Sequence, residues 1–482
     1  MTALILIIIP CIGALMAALW PSDKTRPWLL PIFSLVHTSV CFWFLTRPPM
    51  FEPRDWIAFD PLARAVLPGI SLLFLGIACY AVSYLRLAPR KNRIFVTILL
   101  LVLGLISAGH QARHLGILWV ATETATLACV PLVHFWGTSR TLEATWKYLL
   151  IGGTGVALSL LGSICLGYAS LYGGGSGDIS FLALLENSHH LSKTWILAAW
   201  ILLLVGYGTK MGLAPMHTWK PDTYGESPGL VGALLAGAVS SVAFVALLRI
   251  KAIIDAAGQS SLTSSTLMGF GLFSIIVGAL FLLRTRNYKR MLAYSSIEHM
   301  GILSLAAAFG VPGVTAALFH VWSNGLTKGA LFLSTANIHR ALGSASLDKV
   351  RGTFMVLPKS SALLMAGMFA ITACPPFAPF FSELKIILAG ISTGQGLAVA
   401  LMLFGLFLSF LGMSRIVFSL VHGRPILKQR PLNHNIPQFK ETLGVILPSL
   451  ALLLASLGLG LFTPDILQNA WALAAQQLFT QP

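Results

Sequence analysis

Fourteen apolar runs, each close to the length of a membrane-spanning helix, follow one another through 482 residues with little between them. They lie near 2–20, 28–46, 61–84, 94–109, 115–136, 146–172, 195–216, 228–248, 264–283, 292–310, 313–338, 361–391, 395–421 and 443–463. About 20 apolar residues cross a hydrocarbon layer about 30 Å thick. The chain is 56% hydrophobic and 10% charged, where a soluble protein carries about 25% charge. It therefore reads as an all-α polytopic membrane protein of about fourteen transmembrane helices. The polar stretches 47–60, 173–193 and 422–441 read as loops, and none looks like a soluble domain.

The net charge of +16 does not indicate nucleic acid, because the cations cluster in short loops between apolar runs. With the runs alternating in direction, 22 of the 32 cations fall in loops on one side and 6 on the other. The positive-inside pattern then places both termini outside a cell inner membrane. Lys220 and Lys289 count among the inside loop cations, and Arg249 and Lys251 among the outside ones. Arg64, Lys210, Lys328 and Lys385 fall on the spans themselves. The first run lacks a basic n-region and a cleavage site, so it reads as a retained span. The basic loop 422–441, broken by Pro425, Pro431 and Pro437, is either a plain positive-inside loop or a contact to lipid headgroups or a partner's acidic face. The residues after the last run read as a short tail.

The six cysteines are scattered through apolar runs without a C-x-x-C and read as buried small hydrophobes. No metal or iron–sulfur ligand pattern, phosphate loop, nucleophile elbow or dinucleotide fingerprint is present, so no cofactor is expected.

Two runs look broken. The seventh, Trp195–Met216, contains Gly206, Gly208, Gly212 and Pro215; the twelfth, 361–391, contains Pro375, Pro376 and Pro379. Five spans separate them, the offset expected of two inverted five-helix repeats, spans 4–8 and 9–13. Interrupted helices at matching positions point to a transport path. The implied divisions are 1–93, 94–254, 255–421 and 422–482.

Charges at membrane depth carry the chemistry. Lys210 sits fifteen residues into its run, about 22 Å along a helix. A lysine there costs about 2.5–3.5 kcal/mol, so a partner is expected. Glu123, mid-way along the fifth run, is the candidate. Paired, both groups stay ionised; pulled apart, the lysine releases its proton, which makes the pair a switch. The second half offers Glu298 and His299, then His320 and Lys328 on one helical run, then Glu383 and Lys385 after the Pro break. Histidines in series with lysines suit a relay. Lys385 has the alternative of snorkelling to the headgroups. Asp222 and Glu226, after the seventh run, either stand at a proton entrance or are ordinary loop carboxylates with no role in transport.

The stretch Gly206–Asp222 with Glu226-Ser-Pro228 resembles the seventh-span motif of the antiporter-like subunits of complex I, Mrp antiporters and membrane-bound hydrogenases. Arg290-Met-Leu-Ala-Tyr-Ser-Ser-Ile-Glu-His-Met-Gly301 resembles their tenth-span motif, and its Ile-Glu-His looks most like the hydrogenase-4 component F branch. Pro375–Glu383 and Glu143–Leu149 fit that branch too. The resemblance implies fourteen spans in two inverted repeats. It places the family's charged sites on Glu123, Lys210, Lys328, and Glu383 or Lys385, and adds His217 and Ser241 to the path. It also implies membrane partner subunits, a soluble redox module, and protons (or Na⁺) as the moved ion, in a complex coupling electron transfer to proton movement. The chain itself would carry no electrons. A Mrp-type Na⁺/H⁺ antiporter, and a membrane partner of a non-redox protein in inorganic-carbon uptake, are the alternatives. The sequence departs from the pattern at three places. The eighth span offers Ser240 and Ser241 where relatives often carry lysine, Lys220 replaces a leucine, and Tyr224 replaces a histidine. Water held by the two serines is the expected bridge between half-channels.

Overall fold

The computed structural model describes residues 2–52, 54–86, 92–424 and 439–480. Arg90, Lys91, Lys428 and Arg430, with most of the loop 422–441, lie outside them. Among the described residues the chain is all helix, with three isolated β-bridges and no strand.

Each apolar run becomes a helix or a pair of helices, and the helices keep the number of their run. Spans 1–6 are Ile5–Leu19, Leu29–Thr46, Pro61–Arg86, Arg93–Gln111, Leu115–Val133 and Ser139–Tyr172. Span 7 is Lys193–Met211 followed by the short helix Trp219–Glu226. Span 8 runs from Gly229 through a π-helical stretch, Leu234–Val239, into Ser240–Ile254. Spans 9–11 are Ser260–Arg284, Tyr288–Ala308 and Gly310–Leu342. Span 12 is Pro358–Ile371 with Ala378–Ser392, and spans 13 and 14 are Gly396–His422 and Leu443–Leu461. Among the described residues, nine helical stretches are by themselves long and apolar enough to cross a membrane. Spans 10 and 11 fall short on apolarity because they carry the buried charges.

The two breaks fall where backbone chemistry demands them. Lys193–Met211 ends at Gly212, whose φ of 75° suits a residue without Cβ, and the cis Ala214–Pro215 peptide comes next. Span 12 breaks at Ala373 and the cis Pro375–Pro376 peptide, and Pro379 opens the new helix, where a missing N–H costs nothing. Gly206 and Gly208, by contrast, lie inside an unbroken helix. Their expected role as interruptions is corrected by packing: a Cβ on Gly206 would stand 2.7 Å from the Gly155 carbonyl oxygen on span 6. Gly271 and Gly301 serve spans 9 and 10 the same way, with 2.7 Å from a Gly301 Cβ to the Gly271 oxygen. Small residues let membrane helices approach closely.

Several loop cations prove to be helical and buried. Arg249 pairs with Asp60 at 2.6 Å, Lys251 pairs with Asp255, and Lys289 donates to the Ser227 carbonyl at 2.7 Å. Connections of only a few residues leave cations at helix ends no solvent, so they find partners in the bundle. Lys220 is buried as well.

Two further expectations change. The tail is a helix, Asp465–Thr480, docked against spans 3 and 11. Its Trp471 is buried and donates from Nε1 to the Ala65 carbonyl at 3.1 Å, and Trp322 of span 11 donates to the same oxygen at 2.7 Å. Of the cysteines, Cys79 faces outward instead of into the core.

Candidate functional site

The side chains at membrane depth form two buried groups, one on each side of the short helix Trp219–Glu226.

The first group gathers on spans 5 and 7. Lys210 lies in the last turn of Lys193–Met211, where the negative end of the half-helix favours a cation. Its Nζ donates to Thr126 Oγ1 at 2.8 Å and stands 3.7 Å from Glu123 Oε2. Thr126 lies on the same face of span 5 as Glu123, so one helix offers the ammonium both a hydroxyl and a carboxylate. Lys210 is 5% exposed and Glu123 22%, so the pair is sealed on the lysine side and open on the carboxylate side. Glu123 Oε2 receives no hydrogen bond.

The second group gathers on spans 10, 11 and 12. His299 Nδ1 lies 3.1 Å from His320 Nε2, with the rings stacked at 5.2 Å. His320 Nδ1 lies 2.9 Å from Ser382 Oγ, and Ser382 donates to the Pro379 carbonyl at 3.0 Å. Ser382 also lies 2.9 Å from Ser323 Oγ, so the two imidazoles and two hydroxyls form one continuous hydrogen-bonded row whose proton positions follow the histidine tautomers. Glu383 Oε1 stands 3.9 Å from His299 Nδ1, and both its oxygens lack a hydrogen bond. Lys328 donates to Ser295 Oγ at 2.5 Å. Glu298 is buried beside Ser409 and neighbours Lys328. The ligand atoms of His299, His320 and Glu383 lie within 4.8 Å of one another, a set able to hold a metal ion. Lys328 is a further cation close to both histidines.

The remaining candidates sit apart from these groups. His217, in the break of span 7, is buried with Nδ1 unpartnered and its ring 6.3 Å from that of Phe281. Lys385 is exposed, its ammonium 5.4 Å from the Phe319 ring, and it does not join Glu383 two residues earlier. Ser241 Oγ lies 3.1 Å from His110 Nε2, and Ser240 donates to the Leu235 carbonyl at 2.9 Å. His110, on span 4, escaped the sequence reading. A histidine one residue from the end of an apolar run was its only signal.

The short helix itself joins the halves. Asp222 accepts from Lys147 of span 6 at 2.7 Å and from Arg290 of span 10 at 2.6 Å. It stands at a doubly paired joint between spans 6 and 10.

Comparison with known proteins supplies the family. Residues 112–412 match the family model described as "NADH:quinone oxidoreductase/Mrp antiporter, TM". The chain is 31% identical to the hydrogenase-4 component F homolog of Methylacidiphilum infernorum (isolate V4), over 83% of this chain and 86% of that protein. It is 30% identical to NADH-quinone oxidoreductase subunit N of Desulforudis audaxviator (strain MP104C), over 86% of this chain and 84% of that one. The structure of the Mrp complex from Dietzia sp. DQ12-45-1b contains a similar chain, with a TM-score of 0.86 and 20% identity over 99% of this chain and 97% of that chain. Two unbroken lines of likeness, in sequence and in fold, thus meet on the helices that carry the buried charges: this multi-pass membrane chain belongs to the NADH:quinone oxidoreductase/Mrp antiporter family of membrane subunits.

Proposed function

We propose that the chain is the proton-translocating subunit of a redox-driven membrane complex of the hydrogenase-4 or complex I kind. One observation carries the reading. Acids, lysines and histidines that are costly at membrane depth are collected into two sets, Glu123–Lys210 and Glu298–His299–His320–Lys328–Glu383. Each contains a cation beside a carboxylate, so a change in one separation alters which group holds the proton. His217 and Ser241 lie along the path, and Lys385 is its exposed outlet. Spans 4–8 and 9–13 act as the two inverted units, with the broken spans 7 and 12 as their moving parts. The termini face outside an inner membrane, and a soluble redox module drives the cycle from a partner subunit. The hydrogenase-4 and quinone oxidoreductase names of the relatives support the redox coupling.

The experiment uses the assembled complex in membrane vesicles. Lys210→Ala or Glu123→Ala is expected to abolish coupled proton movement while electron transfer in the partner module continues. Undiminished proton movement in both variants would sink the reading. Na⁺-dependent exchange without an electron donor would favour an antiporter of the Mrp kind instead, the reading its fold likeness supports.

A further inference from the structure

Lys220 lies outside both sets and, unlike the other buried cations at helix ends, has no oxygen partner. It is fully enclosed, and its Nζ makes no hydrogen bond and no ion pair. Its nearest named company is aromatic, with the Trp219 ring at 5.9 Å and the Tyr224 ring at 5.8 Å. Arg249, Lys251 and Lys289, buried at comparable helix ends, each have an oxygen partner. An ammonium left without one is expensive, and a static structural role would have been met more cheaply by an apolar residue.

Its position explains the expense. Trp219 packs on Tyr148 at 5.3 Å, and Tyr148 adjoins Thr126, the hydroxyl that accepts the Lys210 hydrogen bond. Tyr224 packs on Phe332 of span 11 at 5.6 Å and adjoins Ser240 of span 8. Phe332 lies four residues, about one helical turn, beyond Lys328 on the same helix, so the Tyr224 contact brings the Lys220 helix to the part of span 11 that carries Lys328. The side chain thus stands between the two sets. Near it the hydroxyls of Tyr224 and Thr223 and the His217 Nδ1 are likewise buried and unsatisfied, and so is the Ser227 hydroxyl at the far end of the same short helix. Buried polar groups are ordinarily satisfied by protein or by ordered water, so such a cluster is where water is held. The stem of Lys220 lies against Gly212: a Cβ there would meet its Cδ and Cε at 2.5 Å. The glycine that breaks span 7 also clears the channel this lysine occupies.

We propose that Lys220 is the protonatable station that connects the two buried sets. The inference rests on the translocation reading above. The amine takes a proton arriving from the Lys210 side, through the hydroxyls and water around Tyr224, and the ammonium passes it on toward Lys328. One N–H bond forms and one breaks in each passage, and no electrons move.

The test measures redox-driven proton movement by the assembled complex in vesicles, with Lys210→Ala as the reference. Lys220→Met keeps the stem in its slot and removes the proton site. Lys220→Arg keeps the charge but cannot deprotonate. Both are expected to lower proton movement about a hundredfold or more while the partner's electron transfer continues. Lys220→His is expected to restore part of it, with the pH profile moved toward acid. Should Lys220→Met fail to assemble, the arginine and histidine variants decide alone. Parental proton movement in Lys220→Met or Lys220→Arg, with Lys210→Ala inactive, overturns this proposal alone. Parental movement in Lys210→Ala overturns the translocation reading and this proposal with it.

Discussion

Lys210 gives its short hydrogen bond to Thr126, at 2.8 Å, and leaves Glu123 at 3.7 Å. The ion pair is assembled but not closed. The hydroxyl holds the ammonium at a distance from which it can move either way. Thr126→Val removes that hold, and a hydrogen bond to a charged group is worth about 1.5–3 kcal/mol. Coupled proton movement should fall about tenfold or more, and Thr126→Ser should restore it. Vesicle pumping assays with intact electron transfer check this; a valine variant equal to the parent would count against it.

Glu383 offers two buried oxygens and no hydrogen-bond donor within reach, so its neutral form suits the site. Glutamine has the same shape. Glu383→Gln should therefore change thermal stability by no more than about 1 kcal/mol, while stopping proton movement. A melting curve and a pumping assay on one preparation separate the two effects. A large loss of stability would show that the carboxylate is needed as a charge.

Asp222 is shared by Lys147 and Arg290, each 42% exposed. Screening keeps such pairs to about 0.2–1 kcal/mol each. Asp222→Asn should lower the melting temperature slightly, and raising the salt concentration should shrink the difference. A double-mutant cycle with Lys147→Met and with Arg290→Met measures how much each partner contributes.

Gly206→Val puts a branched side chain where the Gly155 oxygen and the Ser159 nitrogen stand 2.7 Å from a Cβ. Overpacking of this kind costs about 1–3 kcal/mol. Gly153→Ala, on the same helix as Gly155 but with nothing within 4 Å, is the control and should be nearly neutral. Thermal unfolding in detergent compares them, and equal losses in both would remove the close-packing account of Gly206.

Much of this was legible in the sequence because a hydrocarbon layer imposes length and apolarity directly. Each run became a helix or a pair of helices, and Gly212, Pro215, Pro375 and Pro376 marked real breaks because they act through the backbone itself. Gly206 and Gly208 misled, since a glycine inside a membrane helix more often serves a neighbour's approach than a turn. The company of Lys210 and Glu123 was readable from cost alone. Lys385 could have been set apart from Glu383, because two residues are about 200° round a helix and face opposite ways. Lys220 was not readable. Its burial depends on how an eight-residue helix docks between spans 6 and 10, which no periodicity in so short a piece records.

The Ala65 carbonyl is shared by two indoles, and the second belongs to a residue 406 positions further on. A ribosome delivers Trp471 after all fourteen apolar runs. Once span 11 is made, the groove it forms with span 3 therefore waits through the synthesis of spans 12, 13 and 14 before Trp471 can close it.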